Sequence, residues 1–180
     1  FSVDKIKAGL FSKGPPSERL LAGNSGLLGS EEHRAIARNA VRDSIVLLKN
    51  NGRILPLRGK KNILIGGDGS DNIAKQSGGW TLSWQGNKNS NEDFPGATSI
   101  FQGLKLAIEE VGGSVAHAKG DSWQSDFTPD IAVVVFGEDP YAEGVGDRED
   151  LLFCDQNSEN LRLVSKLREQ NIPIVSVMLT

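Results

Sequence analysis

At 180 residues the chain is long enough for one well-buried domain, or for a domain with an attached tail. Its formal charge of -3 offers no cationic surface for nucleic acid or anionic lipid, while a neutral ligand remains compatible with that balance. A single cysteine, Cys154, excludes an internal disulfide framework and any cysteine metal cluster, and no apolar run reaches membrane-spanning length.

In chain order, residues 1–11 read as the last turns of a helix closed by Gly9. Residues 12–29 carry Pro15, Pro16 and several glycines with little periodicity, as a linker does. A helix is predicted next. Ser30 caps it, Glu31 and Glu32 occupy its first turn where negative charge is favoured, and Ile36, Ala37, Ala40, Val41, Ser44, Ile45 and Leu48 form an apolar stripe. Arg34, Arg38 and Arg42 read as a solvated or domain-facing polar face in preference to an anion site.

The first strand is expected at 62–65. The glycine-rich loop 66–72 that follows invites comparison with phosphate-binding turns, but its spacing does not fit GxGxxG and no GKS or GKT occurs. Residues 76–86, Gln-Ser-Gly-Gly-Trp-Thr-Leu-Ser-Trp-Gln-Gly, are more unusual. Trp80 and Trp84, set among glycines and amides, fit no regular core element. They serve either as stacking surfaces for the apolar face of a pyranose or as plugs at a domain boundary. A helix capped by Thr98 runs through Gly112, with Ile100, Leu104, Ala107, Ile108 and Val111 facing inward. A short strand at 114–118 follows, where His117 reads as a structural histidine and Trp123 and Phe127 beyond it as packing residues.

Residues 131–136 are apolar at every position, as in a central strand of a parallel sheet covered on both faces. Beyond Gly137 comes a loop at the strand's carboxyl end, where open α/β sheets place ligands. Glu138, Glu143 and Asp147 are its candidate chemical groups, with Tyr141 as an aromatic neighbour, and composition alone leaves the three carboxylates nearly equal. A helix over 158–170 and an apolar, buried strand over 172–179 complete the pattern. Strand, helix, strand, strand, helix, strand predicts a layered α/β sandwich with a largely parallel sheet and right-handed crossovers. A strand so near the last residue, and no methionine at the first, suggest a piece of a larger protein.

Residues 38–57, Arg-Asn-Ala-Val-Arg-Asp-Ser-Ile-Val-Leu-Leu-Lys-Asn-Asn-Gly-Arg-Ile-Leu-Pro-Leu, closely resemble the opening of the second domain in family 3 glycoside hydrolases. The resemblance continues in family order through Asp71-Asn72, the Gly78-Gly-Trp-Thr-Leu-Ser-Trp-Gln-Gly86 segment, Pro95-Gly-Ala-Thr-Ser-Ile100 and Gly137-Glu-Asp-Pro-Tyr-Ala-Glu143. It covers essentially the whole chain, and the paired tryptophans are most similar to those of the exo-acting β-glucan glucohydrolases. The resemblance implies the end of a (β/α)8 barrel at 1–12, an interdomain linker at 13–29 and an α/β sandwich at 30–180, truncated at its C-terminus. It implies that Glu143 is the general acid/base, that Trp84 forms one side of a clamp around the second glucosyl unit, and that Trp80 is a nearby packing tryptophan. The nucleophile is an aspartate of the absent barrel, and no metal or organic cofactor is implied. Partners would be a β-linked glucosyl substrate and the N-terminal barrel of the same protein, with no nucleic acid and no membrane span. Polymeric glucans favour a periplasmic or secreted setting.

A glycosidic acid must hold its proton near neutral pH, so burial or a like-charged neighbour is expected to raise the pKa of Glu143. Glu138 and Asp147 are close enough in sequence to do so or to orient it, and equally to pair with Arg148. Two other classes stand beside the hydrolase: a non-catalytic carbohydrate-binding module stacking sugar on Trp80 and Trp84, and a nucleotide binder resting on the glycine loop alone.

Overall fold

The computed structural model describes residues 2–153 and 158–180, so Cys154 lies outside the described residues. The chain divides into two compact units, one ending at Asn50 and the other beginning at Asn51. In the first, α1 spans Ser2–Lys7 and α2 spans Glu31–Ser44. Between them lie two short 3-10 turns, Pro16–Glu18 and Ser25–Leu27, and the Arg19 guanidinium donates to the carbonyls of Leu10 and Gly14. Ser30 caps α2 as expected, its hydroxyl accepting from the His33 amide at 3.4 Å. The helix stops at Ser44, and Ile45 is already extended, so Ile45 and Leu48 do not continue its stripe. Ile36, Val41, Ile45 and Leu48 are all exposed.

The second unit is built on a four-stranded, all-parallel sheet in the order β2-β1-β3-β4, with β1 at Asn62–Gly66, β2 at Ser114–His117, β3 at Ile131–Gly137 and β4 at Ile174–Leu179. Side chains alternate between the two faces of a strand, and here both faces are covered. Leu64, Ala132 and Val134 point to one side, where they pack with Leu163 and Leu167 of α5 (Glu159–Glu169). Ile63, Ile65, Ile131, Val133 and Val135 point to the other, against Ile100, Phe101, Leu104 and Ile108 of α4 (Ile100–Glu110). Burying each of the valine, leucine and isoleucine side chains contributes about 1.5–3 kcal/mol, and β3 carries no polar side chain along its length. Trp123 and Phe127 pack against the α5 side as expected, with the Lys166 ammonium 4.7 Å from the Trp123 ring centre.

Several sequence expectations are corrected in detail. Ser99, not Thr98, caps α4, accepting from the Gln102 amide at 3.2 Å while Gln102 returns the contact to the Ser99 amide. Val111 is exposed, and Phe101 takes an inward position instead, stacked 4.2 Å from the His117 ring. His117 reaches the buried Ser70 hydroxyl at 3.0 Å, and its pKa is lowered chiefly by burial, in keeping with a structural role. β4 begins at Ile174 and is an edge strand with Ser176 and Met178 exposed, so it is only half-buried.

This topology decides where a site can form. From β1 the chain passes through α4 to β2 on one side of the sheet, and from β2 it returns to β3 on the other, so β1 and β3 flank the point where the strand order reverses. Open α/β sheets place their ligands at the carboxyl ends of the strands that flank such a point. The loop after β1 contains α3 (Ile73–Ser77) and both tryptophans; the loop after β3 contains Glu143.

Candidate active site

The loop after β1 turns sharply because Gly67 lies against β3. Its φ is +91°, and a Cβ there would collide with the carbonyl oxygen of Val135, which instead accepts from the Gly69 amide at 3.0 Å. The glycines that invited a phosphate-binding reading are thus used to approach the neighbouring strand. The Asn72 side chain then caps α3 by accepting from the Lys75 amide at 3.0 Å. This short helix went unnoticed in the sequence because five residues leave no period to read.

Lys75 ties the two loops together. Its side chain is only 5% exposed, and its ammonium contacts Asp68 at 2.6 Å, the Gly137 carbonyl at 2.8 Å and Asp139 at 3.1 Å. A buried ammonium needs such a full set of acceptors, and here they come from the ends of both β1 and β3. Its signal in the sequence was faint, a single lysine whose acceptors lie up to 64 positions away.

Beyond α3 the chain folds into a tight loop. The Trp80 amide donates to the Trp84 carbonyl at 2.9 Å, and the Asn89 side chain holds the Thr81 and Gly86 carbonyls at 2.7 and 3.2 Å. Trp80 and Leu82 both adopt a φ of +58°, a conformation costing an L-residue on the order of 1–3 kcal/mol that persists only where surrounding contacts over-determine it. The outcome is that Trp80 and Trp84 stand out from the surface, 69% and 55% exposed, with ring centres 6.3 Å apart and planes tilted by 45°.

Glu143 sits directly over this loop. One of its carboxylate oxygens, Oε2, accepts from both indoles, at 2.7 Å from Trp84 Nε1 and 3.1 Å from Trp80 Nε1. The Gln85 side chain grips the adjoining backbone, its Oε1 accepting from the Ala142 amide at 2.7 Å and its Nε2 donating to the Glu143 carbonyl at 2.9 Å. Gly79 permits the close packing of the two loops, since a Cβ there would collide with the Tyr141 carbonyl oxygen. Three of the sequence candidates, Trp80, Trp84 and Glu143, therefore meet across some sixty residues of chain. Gln85 lies within the 78–86 segment, and its place beside Trp84 is its one signal in the sequence.

The expected pKa shift is reversed in this chain. The Trp84 N–H holds the Glu143 carboxyl below the usual glutamate range, aided by the residue's own backbone amide; desolvation opposes them, and the Trp80 N–H makes the least contribution. Indole donors favour the anion, and the carboxylate is too exposed for burial to outweigh them. Glu138 and Asp147 also do other work. Glu138 accepts from the Tyr141 phenol and pushes its pKa up, while Asp147 accepts from the Gly144 amide at 3.2 Å and closes the turn after Glu143. Arg148 pairs with Asp150 at 3.0 Å. The site is an open ledge of two indoles and a carboxylate.

Residues 45–180 match the glycosyl hydrolase family 3 C-terminal domain. The chain belongs to glycosyl hydrolase family 3. Two crystal structures of an exo-1,3/1,4-β-glucanase from a Pseudoalteromonas species, one of them a point mutant, share 46% identity with this family 3 chain. They superpose with TM-scores of 0.85 for the mutant and 0.84 for the other, covering 97% and 99% of this chain and 28% and 22% of theirs. A lysosomal β-glucosidase from Dictyostelium discoideum is 30% identical over 97% of the chain and 22% of its own length. A periplasmic β-glucosidase from Salmonella typhimurium is 29% identical over 59% of the chain and 12% of its own. The chain thus spans less than a third of each of these relatives. The family resemblance and the α/β sheet expected from the sequence both hold, and no helix of the described residues is long and apolar enough to cross a membrane.

Proposed function

We propose that this chain supplies the acid/base half of the site of a retaining, exo-acting β-glucosidase or β-glucan glucohydrolase, with Glu143 as the proton-carrying group. The observation that carries the reading is the convergence of an exposed carboxylate with two exposed indoles on one ledge. Such rings suit the apolar face of a glucosyl unit, and the carboxylate beside them suits its glycosidic oxygen. The relatives named as β-glucosidases and exo-β-glucanase support the same class of substrate.

In this reading Glu143 donates a proton to the leaving oxygen as the C–O bond breaks, while an aspartate from an N-terminal barrel of the same protein attacks the anomeric carbon. Glu143, now ionised, then takes a proton from water as that water displaces the aspartate, and glucose leaves with its β configuration kept. Trp84 stacks on the second glucosyl unit, and Trp80 lies beside it. No metal or organic cofactor takes part. The lowered pKa of Glu143 keeps the carboxyl ionised, the form in which the base step begins. The acid step requires the second carboxylate, about 5–5.5 Å away in retaining enzymes, to raise that pKa by repulsion and to share in its desolvation. The chain is proposed to divide as the end of the barrel, a linker and a sandwich domain starting near residue 30. By itself it lacks the nucleophile and is expected to be inactive.

The test compares the complete protein with its Glu143→Ala form on cellobiose, a poor leaving group, and on 2,4-dinitrophenyl β-glucoside, which needs little acid assistance. Turnover of cellobiose is expected to fall by about 10²–10⁴-fold, with a much smaller change in the glycosylation step of the activated substrate. Unchanged turnover of both substrates would contradict the assignment and place the acid on another residue, whereas binding of cellobiose with no turnover by the unmutated protein would favour a sugar-binding module that uses the same rings without hydrolysis.

A further inference from the structure

The ledge raises a question that the carboxylate contacts alone do not answer: what fixes Glu143 in space, given that its side chain is exposed and its loop is glycine-rich. Gly144 and Gly146 follow it closely, and Gly144 has a φ of +87°. The turn formed by Gly144 and Asp147 fixes the chain after Glu143. Before it, the Tyr141 and Ala142 backbone meets what the tryptophan loop offers. Gln85 is half-buried at that junction and supplies both a donor and an acceptor.

We infer that Gln85 is the positioning residue of the acid/base, holding the Glu143 backbone at a fixed distance from the sugar-stacking rings. The inference rests on the reading of Glu143 proposed above. Its geometry is specific to an amide. Oε1 accepts from the Ala142 amide at 2.7 Å and Nε2 donates to the Glu143 carbonyl at 2.9 Å, so the reversed orientation would set donor against donor and acceptor against acceptor. Gln85 is also covalently adjacent to Trp84, whose indole holds the Glu143 carboxylate at 2.7 Å. Two consecutive residues thus grip one glutamate at both ends, the backbone through Gln85 and the carboxylate through Trp84. The indole contacts cannot do this alone, because they are lost whenever the carboxylate turns toward a substrate oxygen, whereas the Gln85 contacts survive that rotation.

A positioning role predicts a particular kinetic signature. Without Gln85 the proton donor remains present but misplaced, so only the steps that need its proton suffer. A misplacement of about 1 Å costs about 10²-fold. In the complete protein, Gln85→Ala is therefore expected to lower kcat for cellobiose by about that factor, with KM moving little. Glycosylation by 2,4-dinitrophenyl β-glucoside, read from its pre-steady-state burst, should change far less. Gln85→Glu keeps an acceptor for the Ala142 amide but turns an oxygen toward the Glu143 carbonyl, and should show the same split. Circular dichroism checks folding. Equal losses on both substrates, no loss on either, or failure of both variants to fold would overturn the inference and make Gln85 an ordinary structural residue. Glu143→Ala separates the two levels: its split without a Gln85 split removes the inference alone, whereas no split in Glu143→Ala removes the assignment of Glu143 and the inference with it.

Discussion

From Ile131 to Val135 every side chain of β3 is buried, and apolar contact holds it on both faces. Further along the same chain, Glu143 is exposed and held by the amide of Gln85 and two indoles. The first region derives its order from the hydrophobic effect, which is strong and indifferent to direction. The second derives it from hydrogen bonds that are individually weak but geometrically exacting. One consequence is that stability and site geometry should be separable by mutation, because they depend on different residues and different forces.

The largest expected effect on stability lies in the core. Leu163→Ala removes a fully buried side chain between α5 and the sheet and should cost about 2–5 kcal/mol, measured by urea unfolding of the chain. A cost below about 1 kcal/mol would mean that the α5 face is not the packed layer described. Gly79→Ala should do the reverse. Its Cβ would strike the Tyr141 carbonyl and push the two site loops apart, so the complete protein should lose about 10²-fold in kcat with a far smaller loss of stability than Leu163→Ala. Unfolding comparable to the core variant would erase the distinction between the two regions.

Much of the first region was legible in the sequence because its signal is local. The continuous apolar run 131–136, closed by Gly137, is the pattern of a strand covered on both faces. The second region was legible only in part. Trp80, Trp84 and Glu143 stood out by residue type and by family resemblance, but the contacts that organise them join residues 57 to 63 positions apart and leave no period to read. Lys75 and Gln85 were hidden for that reason. In this chain two N–H donors on an exposed ledge lower the pKa of Glu143, and the groups that would raise it are not legible here because they lie on no neighbouring residue. The choice between Thr98 and Ser99 as a helix cap turned on one residue of register, which adjacent hydroxyls leave open.

Smaller effects sharpen the contrast within the site. Trp84→Ala in the complete protein should weaken turnover of laminari- or cello-oligosaccharides by about tenfold, equivalent to the roughly 1–2 kcal/mol of a lost stacking surface, and should affect a small aryl glucoside less. Equal losses on both would remove the second glucosyl unit from that ring. The smallest effect is a titration. Because the folded pKa of Glu143 is depressed, the indole contacts to its carboxylate should persist as pH falls through the ordinary glutamate range and be lost only below it. Tryptophan fluorescence of the isolated chain, compared with Glu143→Gln, should show the transition in the parent and not in the variant. A transition above the ordinary range would mean that the carboxylate is not held by the indoles.

The central claim is that Glu143 acts as acid/base and not as nucleophile, and the product formed with azide tests it most directly. In the complete protein carrying Glu143→Ala, 2,4-dinitrophenyl β-glucoside should form a glucosyl-enzyme through the barrel aspartate. Azide should then displace that aspartate without needing a base. Proton NMR is expected to show β-glucosyl azide accompanied by faster turnover. An α-glucosyl azide would instead make Glu143 the nucleophile, and no azide adduct with undiminished hydrolysis would remove it from the chemistry.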